Sequence, residues 1–255
     1  MSNQFNNKNQ NPPNIEVPLG DKGIAGERDD MLNPQISNWR IKFEHLQRYK
    51  YAIAKIGSSK KVLDLGCGTG YGSFLIYQNH NEVVGIDISQ KAINYAKKKY
   101  KGPTYLICSA ENLPFNNEVF DAVIAFEIIE HVSDPQKVIN EIKRVLKNDG
   151  QLFISSPNLK NFYTIFKYIL FKKPYGDKIN SKNIYHIKEF AYDEFLNFIQ
   201  NNNFDILFKY GQPFFPWGYL PLFLKKTLFI EKMSCFLAFP ILKYAWTIVI
   251  YAKKK

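Results

Sequence analysis

The hydrophobic pattern of the chain is irregular at its start and becomes periodic near residue 39. Residues 1–35 are rich in Asn, Gln, Gly and Pro and show no apolar periodicity, so we expect a disordered or flexible N-terminal arm. From residue 39 to residue 56, apolar side chains recur at helical spacing, which predicts a helix. A short apolar strand over residues 61–65 follows and ends in a glycine cluster. We therefore expect one domain over residues 36–255.

Short apolar strands and amphipathic helices alternate after this point. We predict strands at residues 61–65, 82–87, 103–108, 120–126, 151–155, 204–210 and 245–252, and helices at residues 71–79, 90–100, 135–147 and 192–201. Ser89 is a predicted N-cap, and Asn148-Asp-Gly150 is predicted to close the third of these helices. Strands that alternate with helices are typical of a parallel, doubly wound sheet. The continuous apolar run Val123–Phe126 fits a sheet covered on both faces.

The composition excludes several classes of protein but does not identify a binding partner. The chain has 255 residues, of which 45% are hydrophobic and 22% are charged. These fractions exclude a collagen-like, coiled-coil or wholly disordered chain. The net charge of +11 suits contact with nucleic acid, phosphorylated substrates or an anionic membrane, and equally a lysine-rich solvated surface.

The cysteines and the ends of the chain bear on metal binding and location. Cys67, Cys108 and Cys235 lie far apart, and the four histidines are scattered, so we expect neither a disulfide framework nor a metal site. The N-terminus lacks the pattern of a signal peptide, and no apolar stretch reaches the length of a membrane span. We expect a cytoplasmic protein, soluble or attached peripherally at the inner face of a membrane.

A glycine-rich loop, Asp64-Leu-Gly-Cys-Gly-Thr-Gly-Tyr-Gly72, lies between a predicted strand and a predicted helix. We expect a ligand directly against its backbone, because a Cβ atom there would clash. The dinucleotide fingerprint requires a further glycine at a position held by Tyr71 or Ser73, and this argues against NAD. Asp87 ends the second strand, where its carboxylate can accept hydrogen bonds from a ribose diol, with helix capping as the alternative.

Several segments resemble the motifs of class I S-adenosylmethionine-dependent methyltransferases. Val62–Gly70 is similar to their first motif, Val84–Ser89 to their second-strand motif and Ser109–Phe115 to their adenine-edge motif. Phe126–Pro135 and Arg144–Gly150 resemble the branch that contains quinone-biosynthesis and sugar O-methyltransferases.

The resemblance covers roughly residues 26–210 and implies an α/β fold. The expected architecture is a Rossmann-like, doubly wound, seven-stranded sheet that is mostly parallel with an antiparallel last strand. A helical and aromatic insertion would precede that strand.

The same resemblance implies S-adenosyl-L-methionine as the cofactor and assigns its contacts. The methionine part would lie among Asp64, Gly66, Cys67, Gly68, Gly70 and Phe126. Asp87 would bind the ribose, and Ile88 would pack against the adenine. Ser109, Ala110 and Glu111 would meet the adenine edge. Many relatives have Asp at position 109, so we expect a weaker contact there, although a serine hydroxyl can still accept a hydrogen bond.

Methyl transfer needs alignment of the acceptor more than covalent chemistry, because the sulfonium methyl is already activated. A hydroxyl acceptor benefits from a general base, and His131 is the first candidate, with Glu127 the second. Alternatively, His131 with Glu127 and Glu130 braces the loop and caps the next helix. Arg48 would hold the cofactor carboxylate or form a surface ion pair, and His186 would be a substrate-side or structural residue.

Three functions remain open from the sequence. The first is O-methylation of a sugar, a glycan precursor or another small hydroxylated acceptor. The second is C- or O-methylation of a quinone or lipid-like ring, and the third is cofactor binding without catalysis. We expect no nucleic-acid substrate, because Phe126-Glu-Ile-Ile differs from the Asn/Asp-Pro-Pro-Tyr type that holds a flipped base. The sequence does not indicate an oligomeric state.

The segments at residues 157–190 and 211–243 are predicted to lie on the substrate side. Aromatic residues alternate with lysines in residues 161–173 and in residues 211–243. Such segments suit a lid over the acceptor pocket, or a surface that rests on an anionic membrane and serves a lipid-linked acceptor. Ordinary core packing of the two segments is the alternative.

Overall fold

The computed structural model describes residues 30–32, 39–161, 165, 187–212 and 243–255. Most of the predicted arm, most of both predicted substrate-side segments, His186 and Cys235 lie outside these residues. The proposals for a lid, a membrane contact or core packing therefore stay predictions. No helix in the described ranges combines the length and the apolar content that crossing a bilayer requires.

The described residues form a mixed sheet with helices on both faces. The elements in chain order are α1 (Trp39–Ile56), β1 (Lys61–Leu65), α2 (Tyr71–Gln78), β2 (Glu82–Asp87), α3 (Gln90–Lys99), β3 (Thr104–Ile107), β4 (Phe120–Phe126), α4 (Pro135–Val145), β5 (Leu146–Pro157), α5 (Tyr192–Asn201), β6 (Phe204–Gln212) and β7 (Thr247–Lys254). The order of the seven strands is β3-β2-β1-β4-β5-β7-β6. Strands β1 to β5 pair in parallel, and β7 is antiparallel to both neighbours. The predicted seven-stranded sheet with an antiparallel last strand is confirmed.

The junction between α4 and β5 differs from the prediction. The helix ends at Val145, two residues before the predicted end, and β5 begins at once with Leu146 rather than at residue 151. Val119 N–H donates to the Val145 carbonyl, and Phe120 pairs with Leu146, so β4 draws the chain into the sheet at this point. Pairing with a distant strand thus overrides the local turn signal of Asn148-Asp-Gly150.

The two faces of the sheet bury separate apolar clusters. Neighbouring strand residues such as Val62 and Leu63 belong to different clusters, because successive side chains of a strand point to opposite faces. One face packs against α4 and α5, and the other packs against α1, α2 and α3. The buried stripe of α4 follows helical spacing and consists of Val138, Ile139, Ile142 and Val145. Burial on both faces explains the continuous apolar strands.

A short segment from the predicted arm packs against α3. The buried Asp30 carboxylate accepts hydrogen bonds from the hydroxyls of Tyr95 and Tyr100, from the Leu32 N–H and from the Lys99 ammonium. Burial alone would raise the pKa of Asp30, but these hydrogen bonds together lower it by more, so its pKa lies below the usual value. Met31 beside it is fully buried in the cluster of α1, α2 and α3. Asp30 therefore anchors this segment through its charge.

We predict that Asp30→Asn destabilises the protein most at neutral pH. A carboxylate with a lowered pKa stabilises the fold above its unfolded pKa of about 4, and this contribution is lost as the pH falls through the folded pKa. The expected Tm decrease at pH 7 is about 2–4 °C for each kcal/mol lost in a chain of this size. Thermal unfolding followed by circular dichroism from pH 3 to pH 7 should show the difference shrinking in acid.

Asp193→Asn is the matched control for this experiment. Asp193 forms an ion pair with Lys243, and because both side chains are exposed, water screens the pair and it contributes little to stability. A Tm difference for Asp30→Asn that stays constant across the pH range would contradict the role of the Asp30 charge.

Candidate active site

The candidate site lies at the carboxyl ends of β1, β2 and β4. The chain turns back between β1 and β4, because β2 and β3 lie on one side of β1 while β4 and β5 lie on the other. Open α/β sheets bind ligands at such a switch point. The loop of residues 66–70 begins there and leads into α2. The topology therefore places the predicted cofactor residues at one edge of the sheet.

The glycines of the loop serve the packing of the protein itself as well as a ligand. Gly66, Gly68 and Gly70 have φ angles of 75°, 52° and 81°, which favour glycine. A Cβ on Gly66 would lie 2.6 Å from the Ile128 side chain, and one on Gly70 would lie 2.6 Å from the Ala96 side chain. Gly68 faces open space. Packing within the protein therefore explains Gly66 and Gly70, and the close approach of a ligand stays a prediction, for which Gly68 leaves room.

Asp87 ties the end of β2 to the glycine loop. Its Oδ2 accepts from the Gly68 N–H at 3.0 Å, its Oδ1 accepts from the Ser89 N–H at 2.8 Å, and the residue is 7% exposed. Ser89 caps α3 through its own hydroxyl, which accepts from the Ala92 N–H as predicted. The alternative role of Asp87 as the helix cap is therefore filled by Ser89. The contact of Asp87 with the ribose stays a prediction.

Asp64 is a buried acid held by neutral donors. It is 1% exposed, and its two oxygens accept from the Tyr49 hydroxyl at 3.0 Å and from the Ser73 hydroxyl at 2.6 Å. Burial raises the pKa of Asp64 to about 6 in spite of these hydrogen bonds. The carboxylate therefore lies under the glycine loop and ionises close to neutral pH.

We predict that the ionised Asp64 costs stability that Asp64→Asn regains at neutral pH. A carboxyl group with a raised pKa stabilises the fold fully below its unfolded pKa, and this contribution is lost as the pH rises through about 6. A shift of two pKa units corresponds to about 3 kcal/mol. Without cofactor, the Tm of the parent relative to the variant should fall between pH 4.5 and pH 7.5.

Asp121→Asn provides a control of opposite sign. Burial raises the pKa of Asp121, but hydrogen bonds from the Lys61 N–H and the Lys147 ammonium lower it below the usual value. A Tm difference for Asp64→Asn that is independent of pH would contradict the raised pKa.

The adenine side departs from the predicted contacts at Glu111. The Glu111 carboxylate accepts hydrogen bonds from the N–H and the hydroxyl of Ser133 and from the Asp134 N–H, so it faces the loop before α4. The Ser109 hydroxyl accepts from the Glu111 N–H at 3.2 Å. Ile88 is 38% exposed, and Ala110 is buried. Ile88 thus offers an apolar surface at this edge, and Glu111 organises the loop that carries His131.

The Cys67 side chain belongs to the core. The residue is 2% exposed, and its Sγ would lie 3.1 Å from a Cβ on Gly85 of β2. Burial raises the pKa of the thiol well above its usual value. Its N–H donates to the Ile86 carbonyl at 2.8 Å. The thiol therefore packs against the sheet instead of facing the loop surface.

Arg48 of α1 forms a buried network with the ends of β4 and β5. Its Nη1 lies 2.6 Å from the Glu127 Oε1 and donates to the Ser155 hydroxyl at 3.1 Å. The Ser155 hydroxyl donates to the same Glu127 oxygen at 2.7 Å and accepts from the Glu127 N–H. Arg48 is 2% exposed, so the predicted surface ion pair is wrong. Its contact with the cofactor carboxylate stays a prediction.

Sequence reasoning missed Ser155 and the pairing of Arg48 with Glu127. The sequence feature that could have indicated this pair is Arg48, a charged residue among the apolar positions of α1. Glu127 has a φ of 51°, which is uncommon outside glycine, and the network holds it in that conformation. Phe126 before it packs edge-on against Tyr49 at 5.2 Å between ring centroids. The end of β4 is thus fixed from both α1 and β5.

His131 lies in the turn that follows β4. It is half-buried, and its N–H donates to the Ile128 carbonyl at 3.0 Å. The neighbouring Glu130 carbonyl accepts from the N–H groups of residues 187 and 188. Asp134 caps α4 by accepting from the Lys137 N–H, so the alternative in which His131, Glu127 and Glu130 cap this helix is wrong.

Comparison with known proteins gives a family match over part of the chain. A family described as a methyltransferase domain matches residues 63–154. The demethylmenaquinone methyltransferase of Thermotoga maritima is 34% identical over 141 residues, which are 53% of this chain and 61% of that protein. The ubiquinone biosynthesis O-methyltransferase of Haemophilus ducreyi is 38% identical over 122 residues, which are 44% of this chain and 52% of that protein.

Solved structures share the fold. The PH0226 protein of Pyrococcus horikoshii has a TM-score of 0.61 at 20% identity, over 91% of this chain and 97% of that one. The cyclase SpnF has a TM-score of 0.57 at 19% identity, over 83% of this chain and 81% of that one. The chain spans between 50% and 61% of the length of the first curated relatives that it matches. Residues 63–154 thus match a methyltransferase domain, and the strand order and the glycine loop agree with this match.

Proposed function

We infer that the protein methylates a hydroxyl oxygen of a small acceptor, such as a sugar, a glycan precursor or another hydroxylated molecule. The observation that carries this proposal is the placement of the half-buried His131 in the loop after β4, at the sheet edge that carries the cofactor residues. Histidine suits proton removal from a hydroxyl near neutral pH.

The residues present fit the cofactor. The open space beside Gly68 leaves room against the backbone, and the buried Asp87 carboxylate lies next to it, since its Oδ2 accepts from the Gly68 N–H. Gly68 and Asp87 would hold the cofactor, with Ile88 against its adenine. When bound, S-adenosylmethionine supplies a methyl group activated by a sulfonium centre.

The loop after β4 divides the work between two side chains. Glu127 is held at the end of β4 by Arg48 and Ser155, which both contact its Oε1. His131 therefore takes the proton of the acceptor hydroxyl, and Glu127 keeps the end of β4 in shape.

Methylation of a quinone or lipid-like ring is the second candidate function. The relatives from Thermotoga maritima and Haemophilus ducreyi, named for quinone methylation, support it. Cofactor binding without catalysis is the third. A screen that measures S-adenosylhomocysteine release from nucleotide sugars, glycans, catechols and quinone precursors separates the three. Release with nucleotide sugars or glycans alone supports the first, release with quinone precursors alone supports the second, and release with none supports the third.

We predict that Asp87→Ala weakens cofactor binding by about tenfold or more, because hydrogen bonds to a charged group contribute about 1.5–3 kcal/mol. Calorimetric titration with S-adenosylhomocysteine measures this. Asp121→Ala is the matched control, since Asp121 also accepts from a backbone N–H, that of Lys61 at the amino end of β1. Equal affinity of the Asp87 variant and the parent would remove the ribose assignment.

We predict that His131→Ala lowers kcat by about 10²-fold or more and leaves cofactor affinity nearly unchanged. The measurement is steady-state turnover with the acceptor that the screen identifies. His80→Asn is the control, because His80 is an exposed histidine with a φ of 60°, a conformation that Asn tolerates. Unchanged turnover in the His131 variant would leave alignment alone as the source of catalysis.

A further inference from the structure

Helix α1 packs against strands β5, β7 and β6, which we call the antiparallel corner. The layer between them is aromatic at one end of the strands and polar at the other. Across the sheet, Phe153 pairs with Tyr251, which pairs with Phe208. The Phe153 and Tyr251 rings stack at 4.7 Å, and Tyr51 of α1 lies 5.5 Å from the Phe208 ring. This aromatic layer joins α1 to the sheet.

Toward the carboxyl end of β5 the layer becomes polar. Two residues along, the aligned row is Ser155, Val249 and Tyr210, and Ser155 contacts Arg48 of α1. A further two residues along, Thr247 pairs with Gln212. The carboxyl end of β5 lies beside that of β4, so this polar layer adjoins the candidate active site.

Within the described residues, the buried polar atoms of this layer without a hydrogen bond include the Nε of Arg48 and the Oε1 of Gln212, whose residues are 2% and 6% exposed. Buried polar atoms of folded proteins are nearly always paired. One of these atoms can only donate a hydrogen bond and the other can only accept one. They are complementary.

Gln212 contacts α1 one helical turn before Arg48. The Gln212 Nε2 donates to the Glu44 carbonyl at 2.8 Å, and Glu44 precedes Arg48 by one helical turn on the same face of α1. Because that carbonyl can only accept, the Gln212 amide must present its nitrogen there and its Oε1 elsewhere. The orientation of the amide is thus determined by α1.

We propose that Arg48 and Gln212 form a recognition subsite for a hydroxyl group of the acceptor. The hydroxyl oxygen accepts from the Arg48 Nε, and its proton is donated to the Gln212 Oε1. An ether or a carbonyl oxygen satisfies Arg48 and leaves Gln212 without a donor, so the subsite selects hydroxylated acceptors over etherified or oxidised ones. This inference rests on the proposed function, since it assigns a specificity to the same site.

A second glutamine, Gln151, provides a comparison for Gln212. The Gln151 Oε1 is also buried without a hydrogen bond, but Gln151 lies near the middle of β5, away from its carboxyl end. From Gln151 to Pro157 the strand extends about 20 Å. Gln151 therefore serves as a matched control at a distance from the candidate site.

The test measures binding of two probes to the full chain. Catechol carries two hydroxyls, and its dimethyl ether, veratrole, places two oxygens on the same ring without a proton to donate. Calorimetric or NMR titration should show that the parent prefers catechol by about tenfold or more. Gln212→Met should abolish most of this preference, because it removes the acceptor. Arg48→Lys should weaken catechol binding while it keeps a cation for Glu127.

Gln151→Met should retain the full preference for catechol. Thermal unfolding of each variant identifies any loss of fold, and the two variants at different positions keep the test informative if one of them unfolds. Equal binding of the two probes to the parent, binding of neither, or an unchanged preference in a folded Gln212→Met would overturn the inference. A preference for catechol in a chain that releases no S-adenosylhomocysteine would keep the subsite and refute the proposed function instead.

Discussion

The buried contact between Arg48 and Glu127 is the interaction on which the site depends. A cation and a carboxylate that leave water together must find each other inside the fold, because either one alone would be strongly destabilising. Here the pair joins α1 to the end of β4, and Ser155 adds the end of β5. Three elements that are distant in sequence are therefore held in one arrangement. The left-handed conformation of Glu127 and the start of the loop to His131 follow from it.

Two neighbouring strands end in acids that meet different surroundings. Asp64 accepts from hydroxyls beneath the glycine loop, and burial moves its pKa toward neutrality. Asp87 accepts from two backbone N–H groups, which hold the loop against β2. Asp87 thus holds the loop in shape, and Asp64 adds negative charge under the loop when it is ionised. A ligand that carries positive charge would favour the ionised form of Asp64, because an opposite charge nearby stabilises a carboxylate.

Local patterns predicted what local interactions determine. The strand Lys61–Leu65, the helix Trp39–Ile56 and the cap at Ser89 appear as expected, since apolar period and capping chemistry act over a few residues. The end of α4 was predicted two residues too late, because the pairing of Phe120 with Leu146 decides it. The contact of Glu111 with Ser133 escaped sequence reasoning for the same reason: its partner lies 22 residues away in a loop whose path the fold sets.

The donor side and the acceptor side of the site are encoded differently. The cofactor residues from Asp64 to Glu111 come from a continuous part of the chain, and the family match over residues 63–154 covers that part. The proposed acceptor side combines residues that lie far apart in the chain. Because the antiparallel β7 separates β5 from β6, Gln212 reaches the carbonyl of Glu44, 168 residues away. A sequence similarity confined to residues 63–154 includes the predicted cofactor residues. It cannot indicate the acceptor, because the residues that would recognise the acceptor lie outside this range. We therefore propose that acceptor specificity lies in the contact between α1 and the antiparallel corner.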